Sequence, residues 1–229
     1  MSSACGKIII ETMAVIFDMD GVITDTMPYH FKAWEKAFSE VLGYRIREKD
    51  IYLREGSKGA FALEEIFKEY GWSHQPDILN QLLMKKEEVF PQIVKIEFIK
   101  GSLEFLSSIK AQGFQTALVT GTSLPELKKM LSHDIQSSFN VILTGSDVVH
   151  GKPNPEPYLT ALKKLKLNSS DAVVLENAPL GIKSAKAAGL RCLALSTSLS
   201  REYLHEADFI FKSYDDINQH VQFFKAKRT

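Results

Sequence analysis

Cysteine is nearly missing from this chain: there are two in 229 residues, Cys5 and Cys192. Cys5 sits in a short polar stretch and Cys192 in an apolar run. A disulfide framework is therefore excluded, and two free thiols are expected, one of them buried. No CxxC or HExxH spacing occurs, which removes the common structural-zinc and metalloprotease patterns. An excess of one charge is missing too, since 28 Lys+Arg balance 28 Asp+Glu for a formal net charge of +0. No basic field invites nucleic acid, and no acidic tail is present. Long apolar runs are absent; Ile8–Ile10 is too short for a signal peptide or a membrane span. These absences lead to an expected soluble, cytoplasmic protein with no nucleic-acid or membrane partner. Nothing in the sequence sets an oligomeric state, and repeats and low-complexity tracts are absent.

What is present is core-forming material, with 45% of the residues hydrophobic. That suits one ordinary domain or two unequal ones. Short β-rich runs occur at 13–18, 116–121, 140–145, 172–177 and 192–197, with a weaker one at 207–211. They are nearly continuous rather than alternating, as in parallel strands covered on both faces. Helical patterns at 102–113, 155–167 and 179–190 lie between the later strands. Alternating strand and helix predicts an α/β fold with a Rossmann-like parallel sheet, whose ligands bind beyond the carboxyl ends of the strands. Residues 25–95 break the alternation. Helical patterns run over 28–43, 61–71 and 77–90, and Tyr44–Ile46 is at most a short extended link. We read a helical domain inserted after the first strand, with a discontinuous core of 1–24 and 96–229. Inserts of that length usually carry function.

Polar residues cluster at the strand ends. Asp18 and Asp20 sit two apart in "VIFDMDGVITDT", so on an extended chain both reach one side while Met19 points away. A carboxylate pair suits Mg²⁺, a hard cation that takes oxygen ligands and keeps waters. Asp-Gly is also a turn signal, so the pair alone also fits a turn cap. Thr120, Gly121 and Thr122 offer hydroxyls and backbone N–H groups to a phosphate oxygen, or form an ordinary strand end. Lys152 in "GKPNPEPY" can act as a fixed point charge for phosphate or as a solvated lysine. Glu176 and Asn177 add a carboxylate and a neutral oxygen, or an acidic turn with Asn177 as helix cap. Their order carries more than any one of them. In a parallel sheet they converge as a nucleophile, an acid, a metal site and cationic and hydroxyl clamps, the inventory for phosphoryl transfer through an aspartyl-phosphate.

With "DMDGVITDT", "VTGT", "GKPNPEPY" and "LENAPLGI" in this order, the chain resembles the haloacid dehalogenase superfamily, in its β-phosphoglucomutase-like and sugar-phosphatase subgroup. The resemblance implies a helical cap on the core and Mg²⁺ as cofactor. It implies Asp18 as nucleophile and Asp20 as general acid/base and as a metal ligand through its backbone carbonyl. It further implies Thr120 and Lys152 around the phosphoryl group, and Glu176 and Asn177 at the metal end. The subgroup's pattern has an acidic pair where this chain has Glu176-Asn177, so weaker metal binding is expected. Thr26, His30 and Trp34 match the subgroup's "T-x-x-Y-H-x-x-x-W" pattern, with His30 implied to couple the cap to Asp20. Either His30 on a helix surface or Trp34 in the core would also fit helical spacing.

The cap loop "LREGSKGAF" offers Arg54, Ser57 and Lys58 to substrate, but it departs from the mutase's arginine-bearing loop, and lysine does not replace arginine's planar fork. The expected function is a phosphatase acting on a small phosphorylated metabolite of the sugar-phosphate type; the alternative is a phosphosugar mutase. A catalytically degenerate ligand-binding member of the superfamily is the alternative of another class, motivated by Asn177. Asp25 is read as part of the hinge into the cap.

Overall fold

The computed structural model describes residues 6–226, so Cys5 lies outside the described part, while Cys192 is a buried free thiol. In chain order the elements are β1 (Ile8–Thr12), β2 (Ala14–Phe17), α1 (Met27–Leu42), α2 (Glu48–Tyr52), α3 (Gly59–Tyr70), α4 (Pro76–Ile93) and α5 (Ser102–Ala111). There follow β3 (Gln115–Val119), α6 (Leu124–Met130), α7 (His133–Gln136), β4 (Val141–Leu143), α8 (Glu156–Leu165) and β5 (Ala172–Glu176). The chain closes with α9 (Pro179–Ala187), β6 (Arg191–Leu195), β7 (Phe209–Phe211), α10 (Tyr214–His220) and β8 (Val221–Lys225).

Six strands form one sheet in the order β4-β3-β2-β5-β6-β7, with every pairing parallel. Alternation along each strand feeds two cores. Ala14, Ile16, Val174 and Ala194 enter one apolar layer, while Val15, Phe17, Val173, Leu175 and Leu193 enter the other. Burial on both faces explains why these runs read as continuous rather than alternating. Strand order reverses at β2, whose neighbours β3 and β5 lead away in opposite directions. That reversal opens a crevice at the carboxyl end of β2, where Asp18 stands.

The helical insert follows the strand expected over 13–18, the first to enter the main sheet, as the sequence implied; one further strand precedes it. Ile8–Thr12 is a strand of its own, pairing in parallel with Val221–Lys225 in a separate two-stranded ribbon. The insert itself is helical: α1 packs against α4 and α2, around buried Trp34, Phe38, Leu63, Ile66 and Leu82. Tyr44–Ile46 carries no strand. Two chain crossings join the insert to the core. Asp25 donates its N–H to the Glu97 carbonyl at 2.8 Å, and Ile99 donates to the Ile23 carbonyl at 3.0 Å. Asp25, read from the sequence as part of a hinge, is exposed and lies at this junction. Among the described residues, no helix is long and apolar enough to cross a membrane.

Candidate active site

The tips of β2, β3 and β5 bring together side chains that lie up to 158 positions apart in sequence, between Asp18 and Glu176. Lys152 sits at their centre, with 3% of its surface exposed. Its Nζ donates to Asp18 Oδ1 at 2.5 Å and to Glu176 Oε1 at 2.6 Å, and more weakly to the Val119 carbonyl at 3.4 Å. Burial alone would lower the lysine's pKa. The charges of Asp18 and Glu176 overcome that and raise it, so Lys152 stays an ammonium. Burial, joined by the charges of Glu176 and Asp20, pushes the Asp18 carboxyl well above the ordinary range, against the pull of Lys152.

Asp20 is held differently. Its Oδ1 accepts from the Thr26 hydroxyl and lies 3.4 Å from His30 Nε2, and its Oδ2 accepts from Thr122 Oγ1 at 3.1 Å. Burial opposes ionisation, but His30, Thr26 and Thr122 together hold the carboxyl below its usual value. His30 is itself stacked on Phe90, with ring centroids 4.2 Å apart. Two carboxylates two residues apart thus occupy distinct environments, one against a lysine and one against hydroxyls and an imidazole.

The turn between them and the insert is tight. Gly21 has φ +88, and a Cβ there would lie 2.1 Å from Asn177 Nδ2, so only glycine fits against Asn177. Asn177 Nδ2 donates to Ser198 Oγ at 3.0 Å. Glu176, expected as a metal ligand, has both oxygens taken. Oε1 accepts from Lys152 and from Tyr158 Oη at 2.8 Å, and Oε2 accepts from the N–H groups of Asn177 and Ala178 at 2.9 and 3.2 Å.

Two buried oxygens at this end have no hydrogen-bond partner: Asp18 Oδ2 and Asn177 Oδ1. Leaving a buried acceptor unsatisfied costs about 1–3 kcal/mol, so such pairs call for an explanation. A hard divalent cation supplies one. Among the described residues no three His, Cys, Asp or Glu side chains form a ready metal cage. Mg²⁺ does not need one, since it binds through one or two carboxylates and keeps several waters. The two orphaned oxygens, on Asp18 and Asn177, are a donor set that fits Mg²⁺.

The remaining expected residues divide. Thr122, Gly121, His30, Trp34, Arg54 and Ser57 line a cavity of about 210 Å³ between core and insert. Arg54 turns its guanidinium away into the insert, to Glu69 Oε2 at 2.7 Å and the Asp50 carbonyl at 2.9 Å. Ser57 Oγ donates to the Arg54 carbonyl at 2.7 Å. Lys58 reaches across to the core, donating to the Val148 carbonyl at 3.2 Å. Thr120 accepts from the Thr122 N–H at 3.0 Å and lies beside Lys152 under the cap loop.

Sequence reasoning missed three groups. Glu55 and Lys86 line the cavity. Tyr158, fully buried, holds Glu176. The tyrosine sits on the apolar stripe of α8 and gave no signal beyond core, and the other two depend on how the insert folds over the sheet.

Comparison with known proteins identifies the family. A family model for the haloacid dehalogenase-like hydrolases matches residues 15–195. A phosphorylated carbohydrates phosphatase of Thermotoga maritima is 33% identical over 190 residues, covering 77% of this chain and 82% of that protein. The β-phosphoglucomutase of Bacillus subtilis is 26% identical over 183 residues, covering 77% and 80%. The crystal structure of CbbY from Rhodobacter sphaeroides in complex with phosphate superposes with a TM-score of 0.74 at 26% identity, covering 90% of this chain and 96% of that one. The chain belongs to the haloacid dehalogenase-like hydrolase family, and it is an enzyme of that family's phosphatase kind.

Proposed function

We propose that the chain is a Mg²⁺-dependent phosphatase of small phosphorylated carbohydrates, working through a phosphorylated Asp18. The observation that carries the reading is the buried Asp18–Lys152–Glu176 row standing beside an Asp20 with separate partners. Asp18 attacks phosphorus as the ester P–O bond breaks, and Asp20 delivers its proton to the departing oxygen. Asp20 must first take up that proton. The arriving phosphate dianion, a like charge, raises its pKa from the low value that His30, Thr26 and Thr122 set. In the second half, water gives a proton to Asp20 and attacks phosphorus. The bond to Asp18 breaks and inorganic phosphate leaves. Lys152 and the Thr120–Thr122 segment face the transferring group with a cation, hydroxyls and N–H groups. When bound, Mg²⁺ would supply positive charge at the phosphoryl oxygens and offset the repulsion between substrate and carboxylates.

The insert, residues 25–95, is assigned as the substrate-selecting cap. The similarity to a phosphorylated carbohydrates phosphatase supports a sugar-type leaving group. A mutase is the second reading, supported by the similarity to β-phosphoglucomutase. It requires a cationic fork for a distal phosphate, and Arg54 is already engaged with Glu69 and the Asp50 carbonyl. Release of phosphate from 4-nitrophenyl phosphate and from hexose phosphates with Mg²⁺ tests the reading. Asp18→Asn should lower turnover by at least about a thousandfold, as expected for loss of a nucleophile. Equal rates in wild type and variant would refute the nucleophile; isomerisation of hexose phosphates without phosphate release would favour the mutase.

A further inference from the structure

The loop after β6 reaches back to the turn that follows Asp20. Ser196 donates its N–H to the Phe211 carbonyl at 2.9 Å, which fixes the start of the loop. Thr197 Oγ1 then donates to the Gly21 carbonyl at 2.6 Å. These two anchors leave Ser198 half-buried beside Asn177, with its Oγ 3.0 Å from Asn177 Nδ2. Gly21 completes the arrangement from the other side. A Cβ there would lie 2.1 Å from Asn177 Nδ2 and 2.7 Å from Ser198 Oγ, so the missing side chain at position 21 lets the amide and the hydroxyl meet. The phosphatase chemistry above uses no part of this loop.

An amide differs from a carboxylate in one respect that matters here. Its two ends are unlike: the nitrogen donates and the oxygen accepts. A hard cation takes the oxygen, and an amide turned over offers it hydrogens instead. A carboxylate presents an oxygen whichever way it is turned. Asn177 therefore needs a partner for its nitrogen, as an acid at that position does not. Among the described residues, Ser198 Oγ is the acceptor that Nδ2 has. A hydroxyl can serve either end of an amide, and bonding the nitrogen is what leaves the oxygen free. The free atom is Oδ1, buried and without a partner, as is Asp18 Oδ2.

We propose that Ser198 is a positioning residue for Mg²⁺, holding the Asn177 amide by its nitrogen so that Oδ1 is presented to the cation. The proposal rests on the metal site of the phosphatase reading and deepens it. Groups that orient a metal ligand without touching the ion commonly account for about 10–100-fold in affinity. The serine matters because residue 177 is an asparagine; with an acid there, the orientation it sets has no consequence.

The test is Mg²⁺ binding to the metal-free protein by titration calorimetry, with no substrate and no turnover. Wild type, Ser198→Ala, Asn177→Asp and the double variant are compared. With Asn177 in place, Ser198→Ala should raise the Mg²⁺ Kd about tenfold. In the Asn177→Asp background the same substitution should change Kd by less than about threefold, since either carboxylate oxygen serves the cation. Equal losses in both backgrounds would show that the serine holds the loop and not the amide, and would overturn the proposal. A Ser198→Ala Kd within about twofold of wild type would overturn it as well. Both results leave the metal reading standing, because the wild type still binds Mg²⁺. If the wild type takes up no Mg²⁺, the metal reading fails and the proposal fails with it.

Discussion

Replacing Lys152 by methionine probes the centre of the site without reference to substrate. The lysine is 2% exposed at the side chain, and its two carboxylate partners are 5% and 1% exposed, at 2.5 and 2.6 Å. Removing one partner of a buried ion pair costs about 3–5 kcal/mol, because the other charge is left uncompensated. Here one substitution strands two carboxylates, which can escape only by taking up protons. The loss should therefore depend on pH. Burial already raises Asp18 in the wild type, and the methionine variant raises it further. A carboxyl raised in the folded state contributes stability below its unfolded pKa, and that contribution is lost as pH rises through the folded value. Lys152 has its pKa raised, so its own contribution is intact at every pH below the unfolded lysine value and adds no slope near neutrality.

Urea denaturation of metal-free protein at pH 7.5 should then show Lys152→Met less stable by about 3–5 kcal/mol. At pH 5.5 the deficit should shrink by up to about 3 kcal/mol, since one extra proton bound by the folded variant gives about 1.4 kcal/mol per pH unit. A deficit that is the same at both pH values would show that the lysine matters for packing alone. A deficit under about 1 kcal/mol would show that the row is not a charged one.

Two further substitutions separate the neighbouring parts. Thr122→Val removes a hydroxyl from ionised Asp20, which should cost about 1.5–3 kcal/mol near pH 7 in the same denaturation assay. Asp20 has a lowered folded pKa, so the stability it contributes is present above the unfolded carboxyl value and lost as pH falls through the folded one; the Thr122→Val deficit should fade in acid. Asn177→Asp places a carboxylate where an unpartnered buried amide oxygen now stands, and should lower the Mg²⁺ concentration that half-saturates turnover. An unchanged value would remove Asn177 from the metal site.

The sequence was informative where chemistry follows directly from a strand. Asp18, Thr120 and Glu176 each end or follow a run buried on both faces, so the period of the strand and the rule of the parallel sheet placed them together. Lys152 was legible through its stiff surroundings. The ribbon of β1 and β8 was not, because its two halves lie at opposite ends of the chain and "IIIET" and "VQFFK" carry no local sign of each other. Short α2 escaped for another reason. Its five residues are held by Arg47 and Asp50, joined by Tyr70 from the next helix, a tertiary arrangement rather than a periodic one. The cap loop was legible in part. Arg54 and Ser57 line the cavity, while the Arg54 guanidinium bonds Glu69 and Lys58 reaches the Val148 carbonyl, partners that only the folded chain supplies. The acid between them and the lysine Lys86 on α4 came into the cavity unannounced.

The charges at the sheet tips support the proposed metal and bear on the neutral side chain at position 177. Asp18, Asp20 and Glu176 are buried, and Lys152 is the cation bonded to two of them. Fully ionised, that group carries two negative charges in excess before a phosphate dianion arrives. Polar donors relieve part of this: hydroxyls and His30 serve Asp20, while Tyr158 and two backbone N–H groups serve Glu176. Asp18 Oδ2 is left with none. A fourth acid at position 177 would deepen the excess in the metal-free protein and strengthen cation binding in the same step. Asparagine keeps an oxygen at that place without adding to the excess. On the proposed metal site, Asn177→Asp should therefore raise metal affinity and lower the stability of the metal-free fold.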